Sequence, residues 1–275
     1  NFKKYLVLFP PLCYYNNIDL YGGYFMIVQR LWPDDKYDGA VYDDFIERIA
    51  KHKGCCDEVW MCTLSGMPAL STHKAFAEKL SGYAEKLRAA GIAVSLQVGR
   101  TIGHWANENF SDYSGQPEDA NFTVNLSGKT EEGFYCARSE GFRNYFEQVC
   151  RIYCETLHPQ SIYFDDDLRL RAWDGNMRCA CPNCLKAFNE RYKTKYASAE
   201  ELGKAVKEDG ETRKNFLAFS YGNLAEFTER ISRACAAGYP DVIVGLQHGG
   251  YSGELNRHLF AAIKRSGAKA IGSRS

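Results

Sequence analysis

Residues 161–184, SIYFDDDLRLRAWDGNMRCACPNC, hold the most concentrated pattern in the chain. The stretch begins with a short apolar run, which predicts a buried strand, and the run ends in three consecutive carboxylates, Asp165, Asp166 and Asp167. Strand side chains alternate, so Asp165 and Asp167 are expected on one face and Asp166 on the other. Adjacent carboxylates repel one another and need protons, metals or donors when buried. A carboxylate cluster of this kind at a strand end predicts a functional site.

Strand and helix signals alternate on both sides of this stretch. Apolar runs predict strands at residues 4–9, 58–63, 92–98, 162–166, 242–247 and 270–271. Amphipathic patterns predict intervening helices at residues 38–53, 71–90, 139–157, 211–237 and 253–266. This order is typical of a parallel sheet with helices on the outside.

The loops after the strands favour a barrel over an open sheet. Each predicted strand runs into a polar or aromatic loop, and in a TIM (β/α)8 barrel ligand groups ring this edge. No G-x-G-x-x-G turn or phosphate loop follows any strand, so nucleotide binding lacks its main signal. The sequence therefore predicts one α/β domain of the TIM (β/α)8 type over residues 1–275. About six βα units are present, and we expect the rest of the barrel beyond residue 275.

Composition excludes several classes of partner. The chain has 34 basic and 34 acidic residues and no basic run, which argues against nucleic acid and anionic membrane surfaces. No run of eighteen apolar residues occurs, so no membrane span is predicted. The 11 cysteines, several of them inside apparent strands or helices, predict a reducing, cytoplasmic setting. Because the chain begins with Asn1 and not with Met, the question of a removed leader sequence stays open. The question of a homo-oligomeric state also stays open.

Three cysteines, Cys179, Cys181 and Cys184, follow the carboxylates in a C-x-C-x2-C array. This spacing is typical of metal ligands, and Pro182 suits the tight turn between them. Tetrahedral zinc needs four thiolate or imidazole ligands, and a site made only of protein ligands is structural. The candidates for the fourth ligand are Cys136, Cys150, Cys154 and His158.

The residues alone leave three interpretations of the aspartates open. Asp167 could be a general acid whose pKa is raised by its neighbours, with Asp165 and Asp166 holding the sugar or tuning the acid. The cluster could instead be salt-bridged to Arg169 and Arg171, or could hold magnesium or calcium. Side chains expected to line a sugar site follow the strands: Arg100, His104, Trp105, Arg169 and His248.

FDDD followed by CACPNC resembles the catalytic barrel of glycoside hydrolase family 42 β-galactosidases, which belong to the retaining clan A. The resemblance implies that Asp167 stands where the family has its acid/base Glu. Asp166 stands where the family has an Asn that meets the substrate 2-hydroxyl. It also implies that Cys136 completes a structural zinc site with the three downstream cysteines, and that residues 101–137 and 168–210 are inserted loops forming this metal subsite.

Two departures from the family pattern bear on activity. Asp167 is one methylene shorter than Glu, which moves its oxygen by more than about an ångström, and positional catalysis is sensitive to such a shift. The clan's nucleophile lies at the end of strand seven, beyond the six strands predicted here.

The resemblance predicts a retaining glycosidase acting on carbohydrate. The alternatives are a catalytically degenerate carbohydrate-binding barrel, which Asp in place of Glu favours, and a metal-dependent lyase or isomerase that uses Asp165–Asp167.

Overall fold

The computed structural model describes residues 28–31, 39–52, 54–103, 112–170, 176–247 and 253–274. Several predictions fall outside these ranges: the strand at residues 4–9, and the side chains of His104, Trp105, Arg171 and His248.

Eight strands and seven helices occur in the described ranges. The strands are β1 Val28–Leu31, β2 Glu58–Cys62, β3 Ala93–Val98, β4 Phe122–Val124, β5 Thr130–Tyr135, β6 Ser161–Phe164, β7 Ile243–Gln247 and β8 Ala270–Arg274. The helices are α1 Gly39–Lys51, α2 Leu70–Ala89, α3 Glu140–Leu157, α4 Pro182–Tyr192, α5 Ala199–Glu208, α6 Gly210–Gly238 and α7 Gly253–Arg265. None of these helices combines the length and apolarity needed to cross a membrane.

Six strands form one parallel sheet in the order β1-β2-β3-β6-β7-β8. The order follows the chain without reversal, whereas a doubly wound sheet reverses at a switch point. The predicted α/β architecture with a parallel sheet is confirmed. Among the described residues β1 and β8 each pair with a single strand, so these six strands do not form a closed barrel.

Two elements were not predicted. Strand β1 was missed because polar Gln29 and Arg30 interrupt its apolar pattern. The antiparallel hairpin β4–β5 lies within residues 101–137, which the sequence analysis treated as an inserted loop. Its strands are short or polar, FTV and TEEGFY, so neither gives a strong strand signal.

The two faces of the parallel sheet differ in chemistry. One face joins the main core with helices α1, α2, α3, α6 and α7 through Val59, Met61, Val94, Leu96, Ile162, Phe164, Val244 and Leu246. The other face carries a buried polar and aromatic layer of Glu58, Trp60, Cys62, Ser95, Gln97, Ser161 and Tyr163. The register aligns this layer, since Trp60 stands beside Ser95, and Gln97 beside Tyr163.

The polar layer is internally bonded. The hydroxyls of Ser95 and Ser161 lie 2.5 Å apart. Trp60 meets Tyr163 edge to face with ring centroids 5.5 Å apart, and the Arg30 guanidinium lies 5.0 Å from the Trp60 ring. In a parallel sheet that faces helices on both sides, the strands are apolar throughout. The buried polar face therefore differs from that of a sheet covered by helices on both sides.

A second, smaller core lies around the cysteines. It brings α4, α5 and the first half of α6 against the β4–β5 hairpin through Leu126, Phe188, Leu202, Val206, Phe216 and Phe219. Helix α5 starts with a capping box, in which the Glu201 amide donates to the Ser198 hydroxyl at 3.2 Å. Residues 168–210 therefore contribute most of a separate hydrophobic cluster.

His73 of α2 links two helices to the loop after β2. Its Nε2 lies 2.8 Å from the Tyr145 hydroxyl, which donates to the Pro68 carbonyl at 2.6 Å. Its Nδ1 lies 3.0 Å from the Tyr153 hydroxyl, which accepts from the Leu64 amide. Because Tyr145 donates to a carbonyl, His73 donates from Nε2, and its Nδ1 accepts. The ring is therefore neutral, and burial lowers the pKa of His73 from 6.5 to about 4.

We expect acid to destabilise the fold through this histidine. The unfolded chain binds the proton near pH 6.5 and the folded chain only near pH 4, so stability falls as the pH drops between these values. The loss attributable to His73 is about 3 kcal/mol. Denaturant titrations across pH 7 to 4 should show a shallower pH dependence for His73→Gln than for the wild type. The exposed-histidine control His52→Gln should follow the wild type; parallel curves for all three proteins would contradict the assignment.

Candidate functional site at the carboxyl edge of the sheet

The end of β6 and the loop after β3 are joined by two buried carboxylates. Asp165 accepts from the Gln97 side-chain amide at 2.6 Å and from the Arg100 backbone amide at 3.4 Å. Asp167 accepts from the Thr101 hydroxyl on one oxygen and from the Gly103 amide on the other, at 2.8 Å. Asp165 is 5% exposed and Asp167 is fully buried. Asp167 therefore binds the loop through both oxygens, whereas Asp165 binds Gln97 of β3 with one oxygen and the loop with the other.

Asp165 and Asp167 turn towards the same loop, while Asp166 is half-buried. Asp167 is predicted from the sequence to be the general acid, a role that requires an oxygen directed at a substrate. In the structure both Asp167 oxygens accept hydrogen bonds from the loop after β3, and the side chain has no solvent exposure. A substrate could reach Asp167 only if these contacts opened. Asp166 is the most exposed of the three carboxylates.

Arg100, predicted to contact substrate, lies on the loop that the carboxylates hold. Its backbone is left-handed, with φ of 67°, which a residue with a Cβ adopts at a cost of about 1 to 2 kcal/mol. The neighbouring Gly99 amide donates to the Thr63 hydroxyl at 3.0 Å, so the loop is also bound to the end of β2. Strained backbone fixed by surrounding contacts is a feature of functional sites.

Gly103 closes this loop against the β4–β5 hairpin. With φ of 129°, a Cβ at Gly103 would lie 1.9 Å from the Gly133 carbonyl oxygen, so only glycine fits. The Tyr135 amide donates to the Ile102 carbonyl at 2.6 Å on the same side. The loop is thus held between the carboxylates of β6 and the hairpin.

Cys62 and Gln97 belong to the site and were not predicted as site residues. The Cys62 thiol lies 3.9 Å from the Gln97 side-chain oxygen. Burial raises the pKa of Cys62 to about 12, and the Asp165 carboxylate adds to this rise while Arg30 opposes it. The polar residues at alternate positions in AVSLQV, Ser95 and Gln97, were the available sequence signal.

Arg169, predicted to contact substrate, is buried beside the four cysteines. It is 4% exposed and lines a cavity of about 30 Å3 that also borders the cysteines. Its amide donates to the Asp167 carbonyl at 2.7 Å, so it belongs to the turn that carries the carboxylates. Arg178 lines the same cavity, with Nε 3.4 Å from Glu131 and its guanidinium 3.9 Å from the Phe134 ring.

Four cysteines converge beside this cavity: Cys136, Cys179, Cys181 and Cys184. Their sulfurs all lie within 4.8 Å of one another. Cys136 Sγ is 3.4 Å from Cys184 Sγ and 3.7 Å from Cys181 Sγ. Four thiolates around a tetrahedral zinc with bonds of about 2.3 Å stand about 3.8 Å apart. The spacing of the sulfurs therefore suits one metal ion at their centre.

Local backbone structure explains how the four sulfurs meet. Cys136 follows β5, and its sulfur accepts from the Arg138 amide at 3.4 Å. The segment containing Cys179 runs beside β4, where the Ala180 amide donates to the Val124 carbonyl at 2.7 Å. Cys181 caps the N-terminus of α4 and Cys184 lies in its first turn, where the helix dipole favours negative charge.

The crowding of thiols perturbs their proton affinity. Hydrogen bonds from neighbouring thiols, with that from Cys136 the largest, lower the pKa of Cys181. The hydrogen bond with Cys136 is also the largest cause of a raised pKa at Cys184. The four sulfurs can share protons or bind a cation that replaces them. The described cysteines are all free thiols.

The other candidates for a fourth ligand lie elsewhere. Cys150 and Cys154 are buried in the main core on α3. His158 caps the C-terminus of α3, and its ring lies 4.9 Å from that of Tyr239. Within the described part of the chain, the four-cysteine cluster is the one group of converging ligand atoms that could hold a metal.

No protein-family model matches the sequence, and no curated protein matches it. Solved structures do match this chain in structure. The β-galactosidase of the psychrophile Marinomonas ef1 superposes with a TM-score of 0.58 at 13% identity, over 90% of this chain and 40% of that chain. The β-galactosidase of the Antarctic haloarchaeon Halorubrum lacusprofundi gives 0.56 at 14% identity, over 90% and 39%. That of Rahnella sp. R3 gives 0.55 at 12%, over 90% and 38%.

The fold is that of these β-galactosidases. The chain spans about two fifths of the length of each of these three proteins. At such identities the similarity shows the fold: an α/β architecture with a parallel sheet like that of TIM-barrel glycosidases.

The burial of the carboxylates predicts different effects on stability. Asp167→Asn should lower the free energy of unfolding by about 1 to 3 kcal/mol, because an amide NH2 would face the Thr101 hydroxyl or the Gly103 amide. Asp166→Asn, at the half-buried neighbour, should cost less than half as much. Chemical denaturation of both variants measures the difference. Equal losses would contradict the view that Asp167 holds the loop and Asp166 does not.

Proposed function

We propose that this chain is part of a retaining glycoside hydrolase of the β-galactosidase-like kind. The observation that carries the proposal is the carboxylate-held loop with Arg100 at the carboxyl edge of a parallel sheet. In (β/α)8 enzymes this edge holds the catalytic groups. The similarity in fold to three β-galactosidases supports the same conclusion.

We propose that the six described parallel strands belong to an eight-stranded barrel. Their order follows the chain, as it does in such barrels, and β1 and β8 each have one side without a described strand neighbour. The buried polar layer would then face the barrel interior. Residues 101–137 and 168–210 would be insertions that form the hairpin and the second core.

We propose Asp166 as the general acid, with Asp165 and Asp167 as positioning residues. A crowded group of three carboxylates is tolerated when two of them accept hydrogen bonds, as Asp165 and Asp167 do. Asp166 is the most exposed of the three carboxylates, which favours it as the one that a substrate reaches. Arg100 would hold sugar hydroxyls or a carboxylate beside it. The nucleophile of a retaining pair, about 5 to 5.5 Å from the acid, would come from outside residues 1–275.

We expect the general acid to be revealed by leaving groups of different basicity in the complete protein. Asp166→Asn should lower kcat/KM for alkyl β-galactosides by about 10²- to 10⁴-fold, because the leaving oxygen needs a proton. The same variant should hydrolyse 2,4-dinitrophenyl β-galactoside with nearly unchanged kcat/KM, because dinitrophenolate leaves without one.

Asp165→Asn and Asp167→Asn are the matched controls, and each should lower kcat/KM for both substrates by a similar factor. A dependence on leaving group in Asp167→Asn but not in Asp166→Asn would return the acid role to Asp167.

The closed environment of Asp167 favours a second candidate function, that of a catalytically degenerate carbohydrate-binding barrel. It would show sugar binding by the wild type with no turnover of any glycoside.

We propose that the four cysteines bind a structural zinc ion. All four ligands come from the protein, and the cluster lies in the second core and not among the carboxylates. Bound there, zinc would hold β5 to the start of α4. The metal-dependent lyase or isomerase considered from the sequence has no support among the described residues, where the aspartates do not form a converging metal-ligand group.

Elemental analysis tests the zinc site. Protein purified under reducing conditions should contain about one zinc per chain, and Cys136→Ala should lose it because three thiolates leave the site incomplete. Cys150→Ala removes a buried cysteine of the main core and should retain the metal. Zinc absent from the wild type, or equally present in Cys136→Ala, would contradict the proposal.

A further inference from the structure

A series of hydrogen bonds through His73 joins the two ends of the loop after β2. The Leu64 amide donates to the Tyr153 hydroxyl at 3.3 Å, and that hydroxyl lies 3.0 Å from His73 Nδ1. On the other side of the ring, His73 Nε2 lies 2.8 Å from the Tyr145 hydroxyl. The Tyr145 hydroxyl donates to the Pro68 carbonyl at 2.6 Å. The series therefore begins and ends in the same loop.

One arrangement of protons satisfies every member of this series. The Tyr145 hydroxyl gives its proton to Pro68, so it accepts from His73 Nε2–H. The Tyr153 hydroxyl accepts from the Leu64 amide and gives its proton to Nδ1. His73 is 1% exposed, Tyr145 3% and Tyr153 0%. Burial raises the pKa of both tyrosines, so their hydroxyls stay protonated and remain donors.

A second proton on the His73 ring disrupts this arrangement. It would sit on Nδ1, which would then donate to the Tyr153 hydroxyl. That hydroxyl already accepts from the Leu64 amide, and its own proton would lose its acceptor. A buried donor without an acceptor and a buried charge are both unfavourable. The closed loop therefore favours the neutral ring.

The groups that face His73 come from three parts of the chain. Tyr145 and Tyr153 face it from α3, and backbone groups face it from the loop after β2. Burial lowers the pKa of His73 to about 4, and the charge of Asp112 opposes this shift. The Asp112 carbonyl accepts from the Met67 amide at 2.8 Å, so the segment of Asp112 holds the middle of the same loop. Among the described residues, burial thus outweighs the carboxylate.

The loop after β2 leads directly to the candidate site. The Thr63 hydroxyl donates to the Leu64 carbonyl at 3.3 Å and accepts from the Gly99 amide at 3.0 Å. Gly99 directly precedes Arg100, whose backbone is left-handed. Leu64 therefore uses its amide in the series through His73 and its carbonyl in the contacts that reach the Arg100 loop.

We propose that His73 is a positioning residue of the site at the carboxyl edge. As a neutral ring it holds the loop after β2 through Tyr145 and Tyr153, and through that loop it holds the backbone before Arg100. A second proton on His73 releases the Leu64 amide and opens the loop. The inference rests on the place of the candidate site and not on the proposed reaction, so it can be tested without any glycoside.

Amide hydrogen exchange, measured by mass spectrometry on the full-length protein, tests the opening. Protection of residues 63–69, corrected for the intrinsic pH dependence of exchange, should fall about 100-fold between pH 7 and pH 4. The reason is that the exposed ring binds a proton near pH 6.5 and the buried ring only near pH 4. His73→Gln has no titrating ring and should lose most of this pH dependence. The exposed-histidine control His52→Gln should follow the wild type.

Tyr153→Phe provides a second measurement that remains valid if His73→Gln folds poorly. It removes the hydroxyl between His73 and the Leu64 amide, so residues 63–69 should exchange about 10-fold faster than in the wild type at pH 7. Tyr239→Phe is the control, because Tyr239 lies at the end of α6 before β7, and it should leave this exchange unchanged.

Three results would overturn the inference. The first is the same pH dependence of residues 63–69 in His73→Gln as in the wild type. The second is unchanged exchange of these residues in Tyr153→Phe. The third is a parallel loss of protection in β7 as the pH falls, because the histidine would then act on global stability and not on the loop.

Discussion

The hydrogen bonds that Asp165 and Asp167 accept from the loop after β3 are the contacts on which the rest of the site depends. They fix the backbone of Arg100 and Gly103. Gly103 in turn packs on Gly133 of β5, two residues before Tyr135 donates back to the loop. Cys136 is the next residue in the chain after Tyr135. One continuous series of contacts therefore leads from the sheet edge to the four-cysteine cluster.

The described residues form two hydrophobic cores, and this series of contacts runs from one to the other. The main core lies between the apolar face of the sheet and the surrounding helices. The second core is small and includes three of the cysteines among its buried members. A cluster of that size buries little apolar surface, so a cross-link at its centre would add much of its stability. The hairpin and α4 are the elements that such a cross-link would join.

The parts predictable from sequence were those with strong local signals. Alternating strand and helix patterns gave the parallel sheet, and the C-x-C-x2-C spacing identified three residues of the cysteine cluster. Strand β1 and the hairpin were missed because their residues are short or polar runs whose structure comes from pairing with distant strands. The roles within the aspartate triplet could not be read either. Strand alternation predicted that Asp165 and Asp167 lie together. It could not predict that both carboxylates accept hydrogen bonds, because the donors Gln97, Thr101 and Gly103 lie in another part of the chain.

The aspartate triplet itself follows from this arrangement. A single carboxylate at the end of β6 could not both hold the loop after β3 and stay free for a substrate, because each buried carboxylate here uses both of its oxygens. Asp165 and Asp167 bind the loop at two points, and Asp166 between them is the most exposed of the three. Asp166 is therefore placed by its neighbours. Under the proposal that Asp166 is the general acid and Asp167 a positioning residue, the Glu expected from the family resemblance is not required at Asp167.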